Sequence, residues 1–257
     1  MLKKFLPTVV SFITTPDCEV IVADNGSTDG SLPYLQSNFP TLRVISFDRN
    51  YGFAEGYNRA LHEITADYYL LLNSDVELKN DPLPPLIELL DSHPEIGAAM
   101  PKILSQQNPT MFEYAGAAGG YIDTLCFPFC RGRIIGTVEE DKGQYDTIRE
   151  IFWASGAALF VRSKLYHELG GLDADFFAHM EEIDFCWRLK NAGHRIFCEP
   201  RSAVYHLGGG ALNNESPFKL YLNYRNNLYM MHKNLVHPHM LIFIRMIIDG
   251  MLAVVYL

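Results

Sequence analysis

Four stretches of this sequence place polar side chains where apolar runs stop. "CEVIVADN" ends on Asp24 and Asn25, and "YLLLNSDVEL" runs from Tyr69 into Asn73, Ser74 and Asp75. "MEEIDFCWRLKNAG" opens on Glu181 and Glu182, with Asp184 close behind, and "AVYHLGGG" carries His206. A carboxylate at the tip of a core strand is a natural ligand for a hard divalent cation that bridges phosphates, as Mg2+ and Mn2+ do with nucleotides.

Each stretch also has a plainer reading. Asp24 and the following "NGSTDGS" suit an ordinary turn with a helix cap. Asp75 would open a loop before the next helix. Glu181 and Glu182 suit the first turn of a helix, where the dipole favours acids, and Asp184 with Arg188 four residues on reads as a surface ion pair. A lone histidine such as His206 is ordinarily packed or simply exposed.

The elements that must position these groups decide between the readings. Short β-branched runs ("CEVIVADN", "TLRVISFD", "DYYLLLNSD") alternate with helical patterns such as "GFAEGYNRALHEITA", which predicts an α/β fold with a mostly parallel, Rossmann-like central sheet flanked by helices. Ligands of such sheets bind beyond the carboxyl ends of the strands, so Asp24, Asn25, Asn73 and Asp75 are expected to share one edge. In "IFWASGAALFVR" the small residues Ser155, Gly156 and Ala157 would let a ligand or another backbone come close. Between about residues 102 and 150 no period emerges, which predicts a partly ordered insert with Arg131 and Arg133 as phosphate contacts.

Composition bounds the class. With 257 residues and 48% hydrophobic content the chain can bury a full core. A formal charge of -9 argues against a nucleic-acid partner, whose phosphates need a basic face. Five cysteines with no CxxC spacing fit a reducing compartment better than a disulfide framework or a structural zinc site.

Taken in order, "VIVADNGSTDGS", "DRNYGFAEGYNRAL", "YYLLLNSDVEL", "WASGAALFVR", "GGLDADFF", "MEEIDFCWRLKNAG" and "AVYHLGGG" resemble a family 2 inverting glycosyltransferase of the A-type nucleotide-sugar fold, in the branch of bacterial rhamnosyltransferases. The resemblance implies a catalytic domain over residues 1–235, its nucleotide-binding half about 1–100 and its acceptor-side half about 101–235. It implies that Asp24, Asn25, Asn50, Gly52, Asn58 and Asn73 line the nucleotide, and that Asp75 and His206 hold Mn2+ or Mg2+ on the diphosphate. Trp153, Ser155, Gly156 and Glu181 would border the acceptor or sugar. Glu182 is then the base, with Asp184 in reserve. Two positions depart from the family pattern: Asn73 replaces the first acid of its DxD, and Glu182 replaces the Asp of its Glu-Asp pair.

The implied reaction moves a sugar, with dTDP-rhamnose one candidate donor, to a hydroxyl of a glycan or lipid-linked acceptor in cell-surface polysaccharide synthesis. Two other readings stay open: a catalytically degenerate scaffold of the same fold, and a nucleotidyltransferase, for which no GxG-and-lysine loop is present. In the family a strand precedes the helix equivalent to "LKKFLPTVV". The resemblance therefore implies a missing first strand, weakened donor binding, and open edges that invite a homo-oligomer. Residues 236–257 are nearly all apolar apart from Arg245 and Asp249, and are expected to continue past Leu257. Charges four apart suit a helix lying on a membrane, which implies a cytoplasmic protein peripheral to the inner membrane.

Overall fold

The computed structural model describes residues 1–134, 136–208 and 217–256, with side chains up to residue 252. Gly209 and Gly210 of the "AVYHLGGG" stretch, and Leu257, lie outside the described residues. Strands and helices alternate through the first half. They run α1 (Leu2–Phe12), β1 (Ile21–Asp24), α2 (Ser31–Asn38), β2 (Arg43–Ser46), α3 (Phe53–His62), β3 (Tyr68–Leu72), β4 (Val76–Glu77), α4 (Leu83–Ser92) and β5 (Ile96–Ser105).

Next come two small hairpins, β6 (Gly120–Ile122) with β7 (Pro128–Cys130) and β8 (Arg133–Ile134) with β9 (Thr137–Val138). The chain then builds β10 (Arg149–Ile151), β11 (Ala158–Arg162), α5 (Ser163–Glu168), a 3-10 turn at Ala174–Phe176, α6 (Glu181–Asn191), β12 (Arg195–His206), α7 (Pro217–Asn234) and α8 (Pro238–Tyr256).

The main sheet has the order β10-β12-β5-β11-β3, with β4 paired to the far end of β12. β3, β5 and β12 share one direction, since β5 pairs parallel with β12 and both β3 and β5 pair antiparallel with the intervening β11. The α/β class therefore holds, with β4, β10 and β11 as antiparallel members. All but the last residue of β5 are buried, as a central strand covered on both faces requires. β1 and β2 pair parallel to each other as a separate two-stranded sheet, and among the described residues no strand joins them to β3.

The insert is more ordered than its sequence suggests. Lys102 is buried and bridges Asp141 at 2.6 Å and Asp146 at 2.5 Å, tying the loops back onto β5. Arg131 donates from Nε and Nη2 to the Ala118 carbonyl and Arg133 lies over the Tyr114 ring, so both arginines, expected on phosphate, serve local packing. All five cysteines are free.

Candidate active site

Strand register brings the first acid to its partner. β4 pairs with the end of β12 so that Val76 lies opposite His206, which sets the His206 ring against the residue before Val76. His206 Nε2 donates to Asp75 Oδ1 at 3.1 Å, and its Nδ1 lies 3.5 Å from Glu113 Oε1; all three side chains are buried. Burial pushes the His206 pKa down, but hydrogen bonds and charge from Asp75 and Glu113 outweigh it and raise the pKa to about 9. Burial likewise works against ionisation of Asp75, yet the His206 contact leaves its carboxyl below the ordinary value.

Glu113 is a member of this site that sequence reasoning missed. It lies in the insert, where no period marks it, and faces His206 only because the insert folds back onto β5 through the Glu113 N to Ile103 O hydrogen bond at 3.0 Å.

The second acid group stands at the start of α6. Glu181 is buried, and both its Oε2 and that of Glu182 are shielded from water with no hydrogen-bond partner. Burial raises the Glu181 carboxyl well above its usual range and the neighbouring Glu182 charge adds to this. Burial raises Glu182 as well, while backbone N–H groups of the helix start and of Gly156 pull it partly back. A carboxyl so poised holds a proton more readily than one in water, as a catalytic base near neutrality requires.

The two groups meet through the turn before β11. Asn73 N donates to the Ala157 carbonyl at 3.0 Å, fixing the strand tip that carries Asp75 against that turn. On the other side of the turn, a Cβ on Gly156 would lie 3.7 Å from the Glu182 carboxyl carbon and 3.5 Å from the Phe53 ring. A side chain at residue 156 would therefore compete for the space beside Glu182. Gly156→Val is expected to reduce turnover with little effect on nucleotide affinity, which steady-state kinetics and nucleotide titration would separate.

Asp24 and Asn25 organise the adjoining loop. Asp24 Oδ2 accepts from Ser27 N at 3.2 Å and Ser46 Oγ at 3.4 Å. Asn25 donates to the Gly52 carbonyl at 2.7 Å and to Asn50 Oδ1 at 3.1 Å, and accepts from Tyr51 N at 2.9 Å. Gly52 has φ +82, open to glycine, and its Cβ position is 3.4 Å from Phe177, just ahead of the glutamate pair. Asp24, Asn25, Asn50 and Gly52 thus form one connected loop that abuts the α6 entrance.

Other expected residues make internal hydrogen bonds. The Asn58 side chain bonds Leu172 N, Leu172 O and Tyr166 OH. Trp153 donates to Tyr121 O at 2.9 Å, and Ser155 Oγ to Ala115 O at 2.9 Å. Asp184 departs most from its expected surface pairing. It is fully buried, and its oxygens receive Arg188 Nε at 2.8 Å, Lys233 Nζ at 3.0 Å and Asn234 Nδ2 at 2.8 Å, joining α6 to α7. Asp184 is thus tied into the α6–α7 joint by three charged or polar partners.

A divalent ion fits the strand tip only with help from a ligand. Among the described residues no three His, Cys, Asp or Glu are spaced to enclose a metal ion. Asp75 offers a hard oxygen donor, and Mg2+-type sites ordinarily combine one or two carboxylates with substrate phosphates and water. Asp75 matches that pattern, whereas His206 Nε2 carries a proton to Asp75 and could ligate only once that proton leaves.

The match to glycosyl transferase family 2 covers residues 1–141. A Mycobacterium tuberculosis protein, N-acetylglucosaminyl-diphospho-decaprenol L-rhamnosyltransferase, is 26% identical over 219 residues, covering 80% of this chain and 71% of the relative. The structure of GalNAc-T7 with UDP, GalNAc and Mn2+ superposes with a TM-score of 0.66 at 16% identity, covering 90% of this chain and 45% of that one. The mannosyltransferase PcManGT of Pyrobaculum calidifontis, solved with GDP-Man and Mn2+, gives 0.60 at 15% identity, covering 90% of this chain and 59% of that one. The chain thus spans about half the length of these solved structures, and the likeness establishes the A-type fold.

Proposed function

We infer the reaction from one premise: this chain belongs to glycosyl transferase family 2. We propose that it transfers a sugar from a nucleoside-diphosphate donor to a hydroxyl acceptor with inversion, in cell-surface glycan synthesis, with a rhamnosyl donor favoured by the relative named above. The observation that carries this reading is the turn at residues 155–157, which holds the Asp75 tip on one side and packs against Glu182 on the other.

In this reading the loop of Asp24, Asn25, Asn50 and Gly52 receives the base and ribose, Asn58 braces α3 behind it, and Asn73 supports the diphosphate side. Asp75 and His206 would hold Mn2+ or Mg2+, which when bound offsets the charge gained by the leaving diphosphate. Glu113 keeps His206 facing Asp75. Glu182 takes the proton from the acceptor hydroxyl as its oxygen attacks the anomeric carbon from the face opposite the diphosphate. Glu181 beside it, with Gly156, Ser155 and Trp153 behind, shapes the acceptor side.

Calorimetric titration of dTDP, UDP and GDP, with and without Mn2+, tests the proposal. One nucleotide should bind in a metal-dependent manner, and Asp75→Ala should weaken that binding at least tenfold. Binding of none of the three, even to a chain extended at its N-terminus, would favour the degenerate scaffold instead.

The acceptor reading has a structural correlate in α8. Its two charges point inward: Arg245 is 1% exposed and donates to Leu125 O at 2.6 Å, with Asp249 beside it. Its outward stripe is apolar, with Met240, Phe243, Ile247 and Met251 at 76%, 64%, 48% and 58% exposure. Among the described residues no helix is long and apolar enough to cross a membrane. Such a face supports a peripheral seat on a lipid surface, near a lipid-linked acceptor. Sedimentation with lipid vesicles should deplete the wild-type chain from solution. Phe243→Glu with Met251→Glu should cut that binding at least tenfold, since each buried apolar side chain contributes about 1.5–3 kcal/mol. Vesicle binding unchanged in the double variant would remove α8 from the membrane reading.

A further inference from the structure

We propose that Asn226, oriented by Arg225, is the positioning residue that holds Glu182 in its working place; the inference rests on Glu182 being the base. The glutamate pair follows a segment in which three non-glycine residues, Phe177, His179 and Met180, have φ of +64, +69 and +73. Residues with a Cβ avoid that region, so such a path persists only where the surroundings over-determine it. Asn226 supplies that constraint from α7. Its side chain is fully buried, and Nδ2 lies 2.9, 2.8 and 2.7 Å from the carbonyls of Phe176, Ala178 and His179.

Arg225 fixes which way the amide faces. Its Nε donates to Asn226 Oδ1 at 2.9 Å, leaving the NH2 turned to the segment, and its Nη2 adds bonds to Asp175 O and Phe176 O. The same segment starts α6, because Asp184 N donates to Met180 O at 2.8 Å. Glu182 Oε2 has no hydrogen-bond partner, and the backbone N–H groups that act on the carboxyl are those of the helix start and of Gly156, so its place depends on the backbone that carries it together with that turn. The clamp grips carbonyls only, and therefore acts on Glu182 without touching a substrate.

The full chain carrying Asn226→Ala, and separately Arg225→Met, should keep nucleotide affinity and donor KM. Turnover of whichever of dTDP-rhamnose, UDP-N-acetylglucosamine or GDP-mannose the wild type consumes should fall about 10- to 100-fold, the range expected for a misplaced catalytic group. The acid limb of the kcat profile should move to lower pH as Glu182 loosens into water. Carbon-13 shifts of labelled glutamate should report the same move directly; Glu181 and Cys186 are the titratable neighbours to control for. A loss of turnover that tracks only the folded fraction, with the limb and the Glu182 titration unmoved, would overturn the inference. If Asn226→Ala does not fold, Arg225→Met, which leaves Asn226 in place, decides the matter by the same criteria. Glu182→Gln run alongside separates the two layers. Retained transfer in that variant rejects the base itself, whereas a dead Glu182→Gln with wild-type Asn226 and Arg225 variants rejects the clamp alone.

Discussion

Glu182→Gln is expected to reduce sugar transfer by about 10²–10⁴-fold, as for loss of a general base, while nucleotide binding persists and thermal stability gains on the wild type as pH rises. The first part follows from chemistry. A sugar hydroxyl is a poor nucleophile until its proton is taken, and glutamine keeps the shape of glutamate without its basicity. Nucleotide binding should survive because the proposed nucleotide loop of Asp24, Asn25, Asn50 and Gly52 and the Asp75–His206 pair make no hydrogen bond to the Glu182 side chain.

The stability part follows from linkage. Both carboxyls of the pair have folded pKa values above their unfolded ones, so the folded state binds protons more tightly. Their contribution is favourable below the unfolded value near 4.5 and is lost as pH rises through the raised folded values. Above those raised values the pair carries charge at a cost to the fold, and neutral glutamine relieves it. Thermal melts of wild type and variant at pH 5 and pH 8 provide the check: the gap should widen toward pH 8. A variant that transfers normally, or one that melts lower at pH 8, would contradict the assignment.

Asp184→Ala has the largest expected effect on stability. The carboxylate is fully buried and binds Arg188, Lys233 and Asn234 at once, so its removal leaves two cations facing each other across the α6–α7 joint. Breaking one partner of a buried pair costs about 3–5 kcal/mol. The lower end of that range applies, because Arg188 and Lys233 keep partial contact with water. Arg188 also donates to the carbonyls of Leu169 and Gly171, so the loop after α5 should loosen with it. Urea unfolding measures the loss. Asp184→Asn keeps one acceptor and the packing, and at low temperature should retain most of its transfer activity. Full stability with no transfer in that variant would instead return Asp184 to the role of base.

The sequence by itself determined the α/β class and the placing of Asp24, Asn25, Asn73 and Asp75 at strand ends. Apolar runs that stop on polar residues are local signals, legible without knowing how the strands are arranged. Family likeness, also carried by short local strings, singled out Glu182 and His206. Only the tertiary structure decided what each of these groups touches. Glu182 and Asp184 stand two apart on one helix and read alike as acids of a first turn. Which of them keeps an unpartnered oxygen depends on what α7 brings against each face, and Lys233 comes from 49 residues away. The sequence likewise showed Asp75 and His206 without showing that they meet, since the pairing of β4 with β12 joins residues 131 apart.

Glu113 and Asn226 escaped notice for the same physical reason. Glu113 sits in a stretch with no period, held by contacts to β5 rather than by its neighbours in sequence. Asn226 is one of several polar residues in an aromatic, basic helix, a faint signal whose meaning depends on carbonyls 47 to 50 residues earlier. Left-handed backbone at Phe177, His179 and Met180 leaves no mark in residue type, because it is imposed by those distant hydrogen bonds and not by local preference.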